Sequence, residues 1–164
     1  MYGIGQNRDG CLGVQESFLE EPKMLLRGPA RKVCCGRTHT LLLKPNGELM
    51  VAGNNRDGEI GQGEEVQSRR KFTVLMKEKI SDILCGEYFS LVLKKDNSLW
   101  GFGSNFQGEL ATGDWCNQFV PVLIMEDKKI KMVACGASHT LLLTIEGELI
   151  VFGQNHKGTF SMFI

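Results

Sequence analysis

The chain has 164 residues, 42% hydrophobic and 23% charged, with 19 Lys and Arg balanced by 19 Asp and Glu. That composition suits a soluble globular domain with a real core, and zero net charge excludes a protein that gathers nucleic acid through a global field. No apolar run approaches membrane-spanning length, and the opening MYGIGQNRDG carries no basic-then-apolar leader. An intracellular protein is therefore expected, cytoplasmic or nuclear or both, with no membrane partner and with reduced cysteines.

Residues 1–30 hold YGIGQN, a glycine-punctuated loop and the apolar run KMLL. From about residue 31 a unit begins that recurs down the chain. KVCCG and THTLLL read as short strands, KPNGE as a turn, LMVAG as a third strand and FTVLM as a fourth. The second unit, 80–129, runs from CGEYFSLVL to PVLI, and the third, 130–164, carries CGASHTLLL and LIVFGQN and is truncated. Cys35–Gly36, Cys85–Gly86 and Cys135–Gly136 recur at intervals of 50 residues. The step Gly-x-Asn ends at Asn7, Asn55, Asn105 and Asn155, each followed by a further glycine at Gly10, Gly58, Gly108 and Gly158. A fixed period of this length means stacked structural repeats.

Several local demands follow from the repeat. The hairpin position occupied by Gly47, Asn97 and Gly147 takes only residues that tolerate positive φ. Gly86 is expected to need positive φ as well, from its place in a turn. LMVA and LIVF are apolar on both faces, which suits strands covered on both sides. Small sheets stacked face to face provide that cover. The predicted fold is all-β, a partial β-propeller of tandem four-stranded blades, about three plus a half unit in an open arc.

Candidate chemistry is sparse. The cysteines show no CxxC pair, and Cys35, Cys85 and Cys135 are expected to pack as small apolar residues beside glycine. His39 and His139 have Phe89 as their equivalent, so structural histidines beside Thr40 and Thr140 are expected rather than catalytic bases. Asn55, Asp57, Gly58 and Glu64 mimic part of a calcium loop, but Gly53 would occupy its first ligand position. Arg69, Arg70 and Lys71 form the strongest basic run and are read as a solvated loop. No catalytic set, metal or cofactor site is expected.

The pattern CGxxHTLLL…GELxxxGxNxxGExG resembles the repeat of the regulator of chromosome condensation superfamily, a β-propeller of about seven blades. The resemblance covers nearly all of 1–155, with Phe89 replacing the histidine, Ala111 replacing the glycine seen at Gly61, and Thr159–Phe160 replacing Glu-Leu. It implies one repeat domain over 1–164, with a partial repeat over 1–30 and repeats over about 31–79, 80–129 and 130–164. The chain is then a fragment of a longer propeller, or it self-associates through open blade edges.

In this superfamily the residues after the Cys-Gly glycine, and the following histidine, face the partner. The residues so implied are Arg37, Thr38, His39, Glu87, Tyr88, Ala137, Ser138 and His139. Exchange factors for Ran-type small GTPases place acids there, whereas here only Glu87 is acidic and Arg37 is basic. The plant ultraviolet-B photoreceptor places Trp and Arg there, whereas here none of the six corner residues is Trp, and Trp100 and Trp115 lie elsewhere. The expected function is a non-catalytic protein–protein interaction module whose blade-corner residues contact another protein. A small-GTPase exchange factor and a chromatin-associated regulator are the alternatives, and nucleic acid is disfavoured as a partner.

Overall fold

The computed structural model describes residues 1–155. Among them are thirteen strands and no helix. β1 (Tyr2–Gln6) pairs with β2 (Phe18–Met24) in a two-stranded sheet. The first four-stranded sheet runs in order β3 (Lys32–Cys35), β4 (His39–Leu43), β5 (Glu48–Asn54), β6 (Ser68–Lys77). The second repeats it with β7 (Ile80–Cys85), β8 (Phe89–Lys94), β9 (Leu99–Gly103) and β10 (Gln118–Met125). β11 (Ile130–Cys135), β12 (His139–Thr144) and β13 (Leu149–Gly153) form a three-stranded sheet. All pairings are antiparallel and the sheets do not close into a ring. The repeat unit thus becomes a blade, as predicted, although the third unit supplies three strands among the described residues. The departure at Thr159–Phe160 lies outside them.

Alternation along each strand builds the stack. Leu41 and Leu43 point to one side with Leu49, Val51 and Ile60, and meet Ile80, Ile83, Val92 and Phe102 of the next blade. Leu91 and Leu93 lie on the opposite face of their strand from Val92, and meet Ile130 and Leu142 of the third sheet. The second blade is therefore apolar on both faces and finds its cover in its neighbours. Fully burying one such side chain contributes about 1.5–3 kcal/mol. The first strands, β3, β7 and β11, approach one another from sheet to sheet, so the blades fan out from a common inner edge.

The recurring asparagines hold the loops that leave β1, β5 and β9. Asn55 is fully buried, and its Nδ2 donates to Gly63 O (2.9 Å) and Val66 O (2.7 Å). Its Oδ1 accepts from Ile60 N (3.1 Å). Asn7 reproduces this with Val14 O, Glu16 O and Leu12 N. Asn105 does so with Thr112 Oγ1, Asp114 O and Leu110 N. A side chain with two donors and one acceptor satisfies backbone groups that the loop would otherwise bury unpaired. The calcium-like spacing is this staple, and among the described residues no cluster of three or more metal-ligating side chains occurs.

Three sequence expectations need correction. The basic run is not a solvated loop, because Arg69, Arg70 and Lys71 lie in β6. Arg70 clamps the front pair of strands to the first blade, donating to Arg8 O (2.8 Å), Asn7 O (3.1 Å), Gln15 O (3.2 Å) and Ser17 Oγ (3.0 Å). Cys35 is exposed rather than packed, although Cys85 and Cys135 do pack against the inter-blade clusters. Gly86 does not have positive φ. It is glycine because the Phe89 ring lies where a Cβ would be, as His39 lies on Gly36 and His139 on Gly136.

The hairpin expectation holds, with φ of 87° at Gly47, 69° at Asn97 and 88° at Gly147. Ala111 carries a left-handed φ of 50° where Gly61 has 62°. Ala111→Gly should therefore stabilise the protein by about 1 kcal/mol, since the left-handed conformation costs an L-residue that much. Gly86→Ala should destabilise it by about 1–3 kcal/mol through overpacking against Phe89. Urea unfolding of the two variants should move in opposite directions.

Candidate functional site

The segment between the first and second strand of each blade turns at one end of the sheets. These corners are tied to one another by the backbone, Arg37 N donating to Glu87 O (3.0 Å) and Glu87 N to Ala137 O (2.9 Å). Each corner also accepts from its own blade, at Thr38 O from Asn54 N (3.0 Å), Tyr88 O from Ser104 N (2.9 Å) and Ser138 O from Gln154 N (2.8 Å). Arg37, Glu87 and Ala137 therefore stand in a row on one face. Their side chains are not consumed by this ladder.

Arg37 and Ala137 are exposed, while Thr38, Glu87, Tyr88 and Ser138 are half-buried. Arg37 forms an ion pair with Glu87, and its guanidinium lies 5.8 Å from the Tyr88 ring centroid. The single acid of the row is thus neutralised by its neighbour. A polar cleft lined by Arg8, Asp9, Asn54, Arg56, Gln67 and Ser68 opens at the same end of the sheets. The identical letters of NRDG at 7–10 and 55–58 gave no hint that Arg8 and Arg56 would line one cleft, because it forms between repeats.

His39 does not reach this face, contrary to what the resemblance implies. It is fully buried between the first two blades, its Nε2 3.0 Å from Ser90 Oγ. Ser90 gives its only hydroxyl proton to Glu59 O (2.8 Å), so Nε2 carries the imidazole proton and Nδ1 is bare. This matches the reading of a hydrogen-bonded structural histidine. At the next junction Thr140 Oγ1 donates to Glu109 O (3.2 Å), and Phe89 takes the histidine's place. His139 is half-buried on the third sheet.

Sequence reasoning also missed two buried carboxylates. Glu59 accepts from Asp57 N (2.9 Å), Asn54 Nδ2 (3.0 Å) and Thr38 Oγ1 (3.3 Å), and so supports a corner from beneath. Glu109 accepts from Gln107 N (2.8 Å) and Ser104 Oγ (3.5 Å). Burial pushes both carboxyl groups above the usual range, against the hydrogen bonds that they accept. The recurring Gly-Glu of the motif was the available signal.

Burial also lowers the His39 pKa to about 4, since a charged imidazole here would lose its hydration. An unfolded histidine titrates at about 6.5, so between about pH 6.5 and 4 the unfolded chain binds a proton that the native protein does not. The His39 contribution is therefore lost as pH falls through that window, on the order of 3 kcal/mol in all. Glu59 and Glu109 act with opposite sign, contributing most below their unfolded pKa and less as pH rises through their raised folded values. His39→Phe, which copies Phe89, removes only the histidine's share. Urea unfolding of both proteins across this range should show a stability difference that shifts towards the variant as pH falls.

The repeat pattern of the regulator of chromosome condensation (RCC1) family matches residues 30–59, 80–109 and 130–159, over half of the chain. A second pattern of the same family matches 96–143. The chain is 33% identical over 72 residues to the protein RCC2 homolog of Danio rerio, covering 42% of this chain and 14% of that protein. It is 34% identical over 80 residues to the X-linked retinitis pigmentosa GTPase regulator of Mus musculus, covering 46% and 8% respectively. The chain thus spans only a small part of these relatives' length. Human WBSCR16 superimposes with a TM-score of 0.82 at 22% identity, over 94% of this chain and 43% of that one. Prp20p of Saccharomyces cerevisiae does so at 0.73 and 20% identity, over 94% and 39%. With its period, its blades and its recurrent Cys-Gly and Gly-x-Asn steps, the chain belongs to the RCC1 repeat family.

Proposed function

We propose that the chain is a non-catalytic interaction module, in which the corner residues Arg37, Thr38, Glu87, Tyr88, Ala137 and Ser138 contact a partner protein. The observation that carries this reading is the pair of hydrogen bonds from Arg37 N to Glu87 O and from Glu87 N to Ala137 O. They fix three corners in one row through groups that every residue has, which leaves the side chains free to differ. Binding residues concentrate on loops held by a rigid scaffold. An exposed Arg beside a Tyr is also the composition that supplies interface anchors.

Its relatives lend support of a coarser kind. Prp20p has been studied for its binding to Gsp1p and histones, and yeast RCC1 (Prp20) has been solved bound to Kap60. Regulation of a small GTPase is the second reading, favoured by the relation to the retinitis pigmentosa GTPase regulator. The ion pair between Arg37 and Glu87 weakens it, because the corner row then offers no free acid.

Affinity capture with the wild-type chain, Arg37→Ala and Tyr88→Ala tests the corner row. Partners held by the wild type should bind each variant about tenfold more weakly, the size of effect expected for an interface anchor. The melting temperature should barely move. If binding and melting fall together, the corners are structural and the proposal is wrong. Nucleotide release from a panel of small GTPases tests the second reading, which requires acceleration that Glu87→Ala abolishes.

A further inference from the structure

The inner edge of the arc carries a feature that partner binding does not use. Repeat position 34 is Cys34 in the first blade, Leu84 in the second and Ala134 in the third. The next position is cysteine in all three. Cys34 and Cys85 both pack against the cluster between the first and second blades. Leu84 and Cys135 pack against the cluster between the second and third. Position 34 thus looks forward to the following blade and position 35 looks back to the preceding one. The two meet across each junction, and only the first junction has cysteine on both sides.

We propose that Cys34 and Cys85 form a peroxide-sensitive dithiol that oxidises to a disulfide stapling the first complete blade to the second.

The local chemistry suits this step. Cys34 on β3 and Cys85 on β7 pack against the same cluster where the two strands meet, and the Lys32–Asp82 ion pair spans those strands. Cys85, ahead of Lys32, holds the Cys34 thiol below its ordinary pKa, against burial and the Asp82 charge. Cys85 itself is pushed well up, first by burial and then by Cys34. One sulfur is therefore the nucleophile and the other keeps its proton for the second step. Cys34 is half-buried, so a small oxidant can reach the attacking sulfur.

In the first step the Cys34 thiolate attacks one oxygen of a hydroperoxide. A sulfur–oxygen bond forms, the oxygen–oxygen bond breaks, and the departing alkoxide or hydroxide takes up a proton, leaving a sulfenic acid on Cys34. Cys85 sulfur then attacks Cys34 sulfur. The sulfur–sulfur bond forms and the sulfenic hydroxyl leaves with the Cys85 proton as water. Two thiols and one hydroperoxide give one disulfide, one alcohol or water, and one further water, with two electrons passing from sulfur to oxygen.

Exposed Cys35 and Cys116 are internal comparators. The full chain would be treated with stoichiometric hydrogen peroxide, alkylated, digested with trypsin without reductant and analysed by mass spectrometry. A species joining Val33–Arg37 to Ile80–Lys94 is expected from monomeric protein, two hydrogens lighter than the separate peptides and split by dithiothreitol. It should persist in Cys35→Ser and disappear in Cys34→Leu, which copies Leu84. Three results would overturn the proposal: loss of the link in Cys35→Ser, a link found only in covalent dimers, or oxidation of Cys35 and Cys116 while Cys34 and Cys85 still alkylate.

Discussion

The second blade of this protein has two apolar faces, and each is kept from water by a neighbouring sheet. Leu41 and Leu43 need the second blade as much as Val92 and Phe102 need the first. Each sheet is consequently a poor structure alone and a good one in a stack, as expected of repeat architectures. Nearly every recurring letter answers to that constraint. The glycines let rings lie flat on the backbone, the asparagines bind loops that carry polar groups under cover, and the hydroxyls of Ser90 and Thr140 cross from blade to blade.

The same constraint explains why the corners can vary. Their positions are held by amide and carbonyl groups, from Arg37 to Glu87 and from Glu87 to Ala137. Beneath the first corner the Glu59 carboxylate accepts from Thr38 and Asn54, so its support comes from a motif residue. Thr38 lends its own hydroxyl to that support, whereas the row itself is set by main-chain groups. In this chain the side chains above make a compact, internally neutralised patch in which Arg37, Glu87 and Tyr88 touch one another.

Strand content, blade number and the shared end of the corners were legible because they depend on period and on apolar pattern, both visible in one dimension. Contacts between repeats were not legible. Arg70 looked like part of a solvated basic run because its partners, Arg8, Asn7, Gln15 and Ser17, are more than fifty residues away. His39 looked able to face a partner because its burial depends on Ser90 and the second blade. Gly86 was given the wrong reason, since a ring stacked three residues later leaves no mark on backbone propensity. Nothing in one dimension separates Cys34 from Cys35; the strands place Cys34 on the other face, at the cluster that Cys85 also packs against.

The attachment of the front pair of strands adds a polar clasp to apolar contact, since Gly13 lies against the Phe72 ring and Leu42, Met50 and Ala52 are buried on the face of the first blade turned away from the second. Neither apolar cluster draws on β1 or β2, and the guanidinium of Arg70 bridges that boundary mainly through main-chain oxygens. Polar contacts of this sort exchange readily with solvent, whereas interlocked aliphatic layers separate only together. The front junction therefore has two holds of different kind, and it is the exposed guanidinium clasp for which solvent competes.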